Sequence, residues 1–140
     1  MKSFAPDSSM YTMGGVFYPT GHMFIMYPTA EEAADAERRL LQSGWDGGPV
    51  ALLTPRDIHE KIAAAVADAD HMPSPGTEAA TARHYEELAR EGHHAILVPA
   101  PKGKDAQQVL DALRGTNITY AQRYRHFVIE DLVGHANEKN

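Results

Sequence analysis

The chain has 140 residues, 43% of them hydrophobic, which is long enough for one well-buried core and short for two. Its 13 basic and 19 acidic residues leave a net charge of −6, so the field of the whole molecule does not attract a phosphate backbone and nucleic acid is disfavoured as a partner. Cysteine is absent, which removes any disulfide framework, thiolate metal site or redox thiol and fits a cytoplasmic setting. The first residues lack the basic start and apolar stretch of a secretory signal, and the longest apolar runs are too short to cross a bilayer, so no membrane partner is expected.

Residues 1–21 mix Gly14, Gly15, Gly21, Pro6 and Pro19 with Phe4, Met10, Tyr11, Met13, Val16, Phe17 and Tyr18. Such a segment is too broken for regular structure and too apolar for an indifferent tail. It is expected to be a partly flexible N-terminal extension whose residues 16–18 pack on the domain or on a neighbouring subunit. A single domain is expected over residues 22–136, with residues 137–140 frayed.

Residues 22–27 form a short apolar run ended by Pro28, the pattern of a strand buried on both faces. Thr29 with Glu32 three residues on predicts a capping box, and Ala33, Ala36 and Leu40 mark the inner stripe of a helix that Gly44 stops. Gly47, Gly48 and Pro49 turn into a second strand at residues 50–53. Thr54 as cap, Pro55 in the first turn and Asp57 at the third position then predict a helix over residues 55–70, with Ile58 and Ile62 facing inward. A linker at residues 71–76 leads to another helix carrying Ala82, Tyr85, Leu88 and Ala89, ended by Gly92. Residues 94–98 predict a third strand, and a small basic turn at residues 102–104 precedes a helix with Ala106, Val109, Leu110 and Leu113 on its inner side. Residues 118–126 alternate most clearly as a strand, with Tyr120, Gln122 and Tyr124 on one side and Ala121, Arg123 and Arg125 on the other. Residues 127–129 either continue it or form a separate edge strand.

The order is β-α-β, two additional helices, then β-α-β. It predicts an α/β (α+β) domain of ferredoxin-like type, built from duplicated β-α-β units with additional helices between them. A flavodoxin-like parallel sheet is the alternative, and the two differ in whether residues 50–53 run against or with residues 94–98. The halves also share an ending, Arg56-Asp57-Ile58 in the first and Glu130-Asp131-Leu132 in the second. On that motif and the element order, residues 22–133 resemble small bacterial α/β proteins, general stress proteins among them. The resemblance implies the fold and a link to stress physiology. It implies no catalytic residue.

No dinucleotide fingerprint or phosphate loop is present. Eight histidines lack any short metal-ligand spacing, and His93 and His94, as neighbours on a strand, point to opposite faces, so neither a metal nor another cofactor is expected. Lys102 and Lys104 before a helix, and Arg123 and Arg125 on the last strand, are the candidate ligands for a small anion. A catalytic reading would place His126 beside Tyr124, Asp57 and Asp131, with Asp131 orienting the imidazole and Arg125 stabilising an oxyanion. Against it, both aspartates have a structural role if each lies at a strand-to-helix transition. Aromatic and basic residues on one strand also evoke RNA-binding sheets, without their signature. The expectation is therefore a non-enzymatic, homo-oligomeric binding or regulatory module, in contact through the N-terminal segment and the last strand. A small His/Tyr/Asp enzyme acting on an anionic or aromatic substrate, and an RNA-binding domain, are the alternatives.

Overall fold

The computed structural model describes residues 2–5, 10, 17–63, 77–125 and 128–133. Its elements are β1 (Lys2–Ser3), β2 (His22–Tyr27), α1 (Ala30–Gln42), β3 (Ala51–Leu53), α2 (Pro55–Ile58, widening into a π-helical turn at His59–Ala63), α3 (Thr77–Arg90), β4 (His94–Pro99), α4 (Gly103–Ala112), β5 (Tyr120–Arg125) and β6 (Val128–Val133). One mixed sheet orders the strands β1-β3-β4-β2-β5-β6.

The sheet centre follows from composition. β2 is nearly continuous in apolar side chains because helices lie on both of its faces. Met23, Ile25 and Tyr27 point into one layer and Phe24 and Met26 into the other, as the two-residue period of a strand requires. The first layer is closed by Ala33, Ala36 and Leu40 of α1 and by Ala106 and Val109 of α4. The second is closed by Ile58 and Ile62 around α2, by Ala82, Tyr85, Leu88 and Ala89 of α3, and by Phe4 and Phe17 from the N-terminal segment. Ile25 and Val98 share the first layer and are fully buried.

β3 runs antiparallel to β4, with Leu52 opposite Ile96, and β2 runs antiparallel to both β4 and β5. A parallel sheet throughout is thereby excluded. The chain belongs to the mixed α and β class, and among the described residues no helix is long and apolar enough to cross a membrane.

The local signals hold in part. Thr29 Oγ1 accepts from the Glu32 amide at 3.1 Å, but it donates to the Glu32 carboxylate instead of leaving that group to the Thr29 amide, so only half of a capping box forms. At Thr54 the box is complete, with the Asp57 amide to Thr54 Oγ1 at 3.1 Å and the Thr54 amide to Asp57 Oδ2 at 3.0 Å. The shared ending of the two halves does not correspond in space. Arg56-Asp57-Ile58 opens a helix, whereas Glu130-Asp131-Leu132 lies within β6, where Asp131 is registered with Gln122 of β5. The second β-α-β unit closes on β5, and β6 is a separate strand returning along its outer side, with the Asp131 backbone inside that strand. The tail at residues 137–140 and the linker at residues 71–76 fall outside the described residues.

Candidate functional site

The structure disperses the residues that the sequence groups by chemistry. Asp57 follows β3, and two strands, β4 and β2, lie between β3 and β5, which sets those two strands roughly 14 Å apart at the usual spacing. The register also puts Leu53, at the end of β3, level with Tyr120, so Tyr124 lies at the far end of β5. The Asp57 carboxylate is engaged by the Thr54 amide and lies 3.6 Å from Lys61 Nζ. The Tyr124 ring is fully buried, and its hydroxyl shares a 2.7 Å hydrogen bond with that of Tyr85. Phe17 and Tyr18 pack edge-on to the same ring, with centroids at 6.1 and 4.9 Å. Tyr124 therefore belongs to the aromatic packing beneath α3. His126 and the side chain of Asp131 lie outside the described residues.

The expected anion ligands divide similarly. Arg123 is buried, and its guanidinium donates from Nε to Glu130 Oε1 at 2.7 Å and from Nη1 to the carbonyls of Ala100 and Pro101, both at 3.3 Å. This fork ties the turn after β4 to β5 and β6. Arg125 is exposed, with Nη1 3.8 Å from Glu130 Oε2. The carboxylate of Glu130 thus stands between the two arginines, where an incoming anion would have to displace it. Lys102 and Lys104 are exposed at the start of α4, but Asp105 Oδ2 already accepts from the Lys102 amide at 3.0 Å and places negative charge at that helix end.

Among the described residues, His93, His84 and His59 contact the scaffold. His93 is buried, with Nδ1 3.0 Å from the Leu88 carbonyl and Nε2 3.1 Å from Thr119 Oγ1. The carbonyl can only accept, so Nδ1 carries the proton and, in the neutral ring, Nε2 accepts from the threonine. His84 lies edge-on to Tyr120, and His59 reaches Glu86 across from the π turn to α3. Among the described residues no group of three or more His, Asp or Glu side chains could hold a metal ion.

Two clefts remain. The larger, of about 580 Å³, is an open groove where Ser43 faces Lys104, Gln107 and Asp111 of α4. The other, of about 460 Å³, lies between α1 and the turn that follows α4, and its geometry is more specific. Gly115, at φ +86°, makes the reversal after α4 that side chains with a Cβ resist, and it brings Thr116 to the end of β2. Thr116 Oγ1 donates to the Leu113 carbonyl at 2.6 Å, so in its 2.8 Å contact with the Tyr27 hydroxyl it accepts. Burial raises the Tyr27 phenol above its ordinary range, opposed by the Thr116 hydrogen bond and by Arg39, and the group stays a neutral donor. Along α1 the cleft wall carries Glu31 and Glu32, then Asp35, Arg38 and Arg39. Asp35 pairs with Arg38, while Arg39 lies 3.6 Å from Asp35 and donates to the Arg114 carbonyl at 3.3 Å.

This floor of hydroxyls under a wall of both charges can orient a small polar molecule. Within it there is no nucleophile held against a base, and a phenol with a raised ionisation is poorly suited to accept a proton at neutral pH. Sequence reading assigned Tyr27 to the core and gave Thr116 and Asn117 no role. The available signal was a tyrosine as the last residue of a buried strand, where the ring is covered and the hydroxyl reaches the sheet's end. No protein-family model, curated protein or solved structure matches this chain.

Proposed function

We propose that the chain is a non-enzymatic binding module that works as a homo-oligomer and takes a small zwitterion in the cleft between α1 and Thr116. The anionic group of the ligand is directed to Arg38 and Arg39, where it competes with Asp35, and its ammonium to Glu31 and Glu32. The observation that carries the reading is the cleft itself: one helix wall presents acids in its first turn and arginines two turns on, above the Tyr27 and Thr116 hydroxyls. Its volume of about 460 Å³ suits a small ligand. The enzyme reading has less support, because the Asp57 carboxylate caps a helix and the Tyr124 hydroxyl is spent on Tyr85.

The scaffold we infer is ferredoxin-like. Its support is the antiparallel order β3-β4-β2-β5, in which a strand of each β-α-β unit sits between the two strands of the other while α1 and α4 cover one face. We further propose a bacterial role in stress physiology, supported by the resemblance in element order, and a cytoplasmic setting, supported by the absence of cysteine.

Amide titration tests the ligand class, with glycine as the zwitterion and acetate and methylamine as its two halves. Saturable shifts at Thr116, Asn117 and Arg39 with glycine, weaker by about tenfold with either half, are expected. Equal or absent responses to all three would refute the zwitterion. Light scattering over a concentration series reads the oligomer, and a mass of one chain throughout would refute self-association.

A further inference from the structure

The α1 wall of the cleft does not balance its own charges. Glu31, Asp35, Arg38 and Arg39 recur at i, i+4, i+7 and i+8, which puts them on one helix face, with Glu32 beside them. Three carboxylates against two guanidiniums leave one net negative charge on that wall. A ligand with a single ammonium and a single carboxylate is neutral and leaves that charge unmatched.

The charges are also unevenly placed. Both arginines gather at Asp35: Arg38 pairs with it, and Arg39 Nε lies 3.6 Å from Asp35 Oδ2. At that level one carboxylate stands beside two guanidiniums, an arrangement that suits an ammonium and a carboxylate borne on the same carbon. Glu31 and Glu32 are left over. Glu32 accepts from the Thr29 hydroxyl, a neutral donor, at 3.1 Å, and among the described residues Glu31 forms no ion pair. At about 1.5 Å of rise per residue, these two acids lie roughly 4.5–6 Å from Asp35 along the axis, toward the start of α1. Arg39 and Glu32 act with opposite sign on the Tyr27 hydroxyl, so both poles of the wall face the same floor.

We propose that the ligand is an α-amino acid whose side chain, about three or four methylenes long, ends in an ammonium. The inference rests on the zwitterion reading above and names its class. The α-carboxylate goes to Arg38 and Arg39, the α-ammonium to Asp35, and the side-chain ammonium to Glu31 and Glu32. Asp35 competes with a ligand that brings only an anion, but it becomes a contact for one that carries an ammonium on the same carbon. With bonds near 1.5 Å, such a side chain sets its terminal nitrogen roughly 5–6 Å from Cα, which matches the separation of the two acidic levels. The single net positive charge of the ligand offsets the net charge of the wall.

Amide titration at Thr116, Asn117 and Arg39 tests the class. Its probes are lysine, norleucine, which is lysine without the side-chain ammonium, and cadaverine, which is lysine without the carboxylate. Lysine should bind about three- to fivefold more tightly than norleucine, the gain of an exposed ion pair, and raising the salt should shrink the gain. In Glu31→Gln/Glu32→Gln the two amino acids should bind equally, and Glu31→Gln alone, which should at least halve the gain, replaces the double variant if that fails to fold. The net charge of −6 attracts cations in general, so a lysine advantage that survives the double variant would be that attraction and would overturn the assignment. Cadaverine binding as tightly as lysine would show an idle carboxylate and overturn it as well. Saturable shifts of equal strength with lysine and norleucine refute the cationic side chain and leave the zwitterion standing. The absence of saturable shifts with every amino acid, glycine included, refutes both.

Discussion

Replacing Arg123 by methionine tests the fork that joins the turn after β4 to the last two strands. Methionine keeps much of the apolar stem, so the change isolates the guanidinium. Three contacts are lost: Nε to Glu130 at 2.7 Å, and Nη1 to the Ala100 and Pro101 carbonyls at 3.3 Å. Their costs differ because their surroundings differ. Glu130 is 34% exposed at its side chain and can return to water, and Pro101 is exposed. Ala100 is fully buried, so its carbonyl keeps the cost of losing a donor, about 1–3 kcal/mol. Adding the charge-assisted contact to Glu130, discounted for that carboxylate's exposure, and subtracting the relief from no longer burying a cation gives a net loss of about 2 kcal/mol. For a domain of this size that corresponds to roughly 5–10 °C in melting temperature. Urea unfolding of wild type, Arg123→Met, Glu130→Gln and the double variant measures both the loss and the coupling. Glu130→Gln should cost less than Arg123→Met, because Arg123 keeps its two carbonyls. Stability of Arg123→Met within about 0.5 kcal/mol of wild type would refute the reasoning, since surface substitutions change stability that little.

Gly47→Ala should destabilise the fold by about 1–3 kcal/mol by overpacking, because an added Cβ would stand 2.2 Å from Trp45 Cζ2. As Trp45 is the single tryptophan and is buried, a red-shifted emission should report its displacement, and unchanged emission and stability would contradict the packing. The raised Tyr27 ionisation means that the folded state holds its proton at pH values where the unfolded chain releases it. Stability should therefore fall as pH rises from about 10 through the folded value, and Tyr27→Phe should flatten that alkaline decline. The same variant should cost about 1 kcal/mol at neutral pH through the lost Thr116 contact, and an unaltered alkaline slope in calorimetry would count against burial as the cause. Thr54→Ala removes half of a complete capping box and should cost about 1 kcal/mol, with hydrogen exchange of the Asp57 and Ile58 amides accelerated more than that of the β2 amides. Uniform acceleration would show that the cap acts globally.

Much of the layering was legible because a strand buried on both faces has to be apolar throughout. Residues 22–27 and 94–98 show this, and their alternate side chains enter the two layers as expected. The caps at Thr29 and Thr54 were legible because capping is decided within four residues. The likeness of Arg56-Asp57-Ile58 to Glu130-Asp131-Leu132 misled, since a three-residue likeness cannot distinguish the start of a helix from the interior of an edge strand. Arg123 and Arg125 looked like a pair of ligands. Only the return of β6 along β5 shows Glu130 beside both, with Arg123 turned into the interior. The cleft was illegible for a similar reason, because Tyr27 and Thr116 lie far apart in the chain and meet only through the reversal at Gly115.

The sequence by itself determined the kinds and order of the elements from β2 to β5, several of their ends and the small inward residues of α1 and α4, but neither the strand at Lys2–Ser3 nor the separateness of β6. The features it determined depend on periodicity, caps and glycine, all of which act over a few neighbouring residues. Strand order, the burial of Phe4 and Phe17, the separation of Asp57 from Tyr124 and the existence of the α1 cleft were decided by the tertiary structure. Each depends on which distant segments share a layer, and that is settled by burying apolar surface across the whole chain at once, a condition no local pattern encodes.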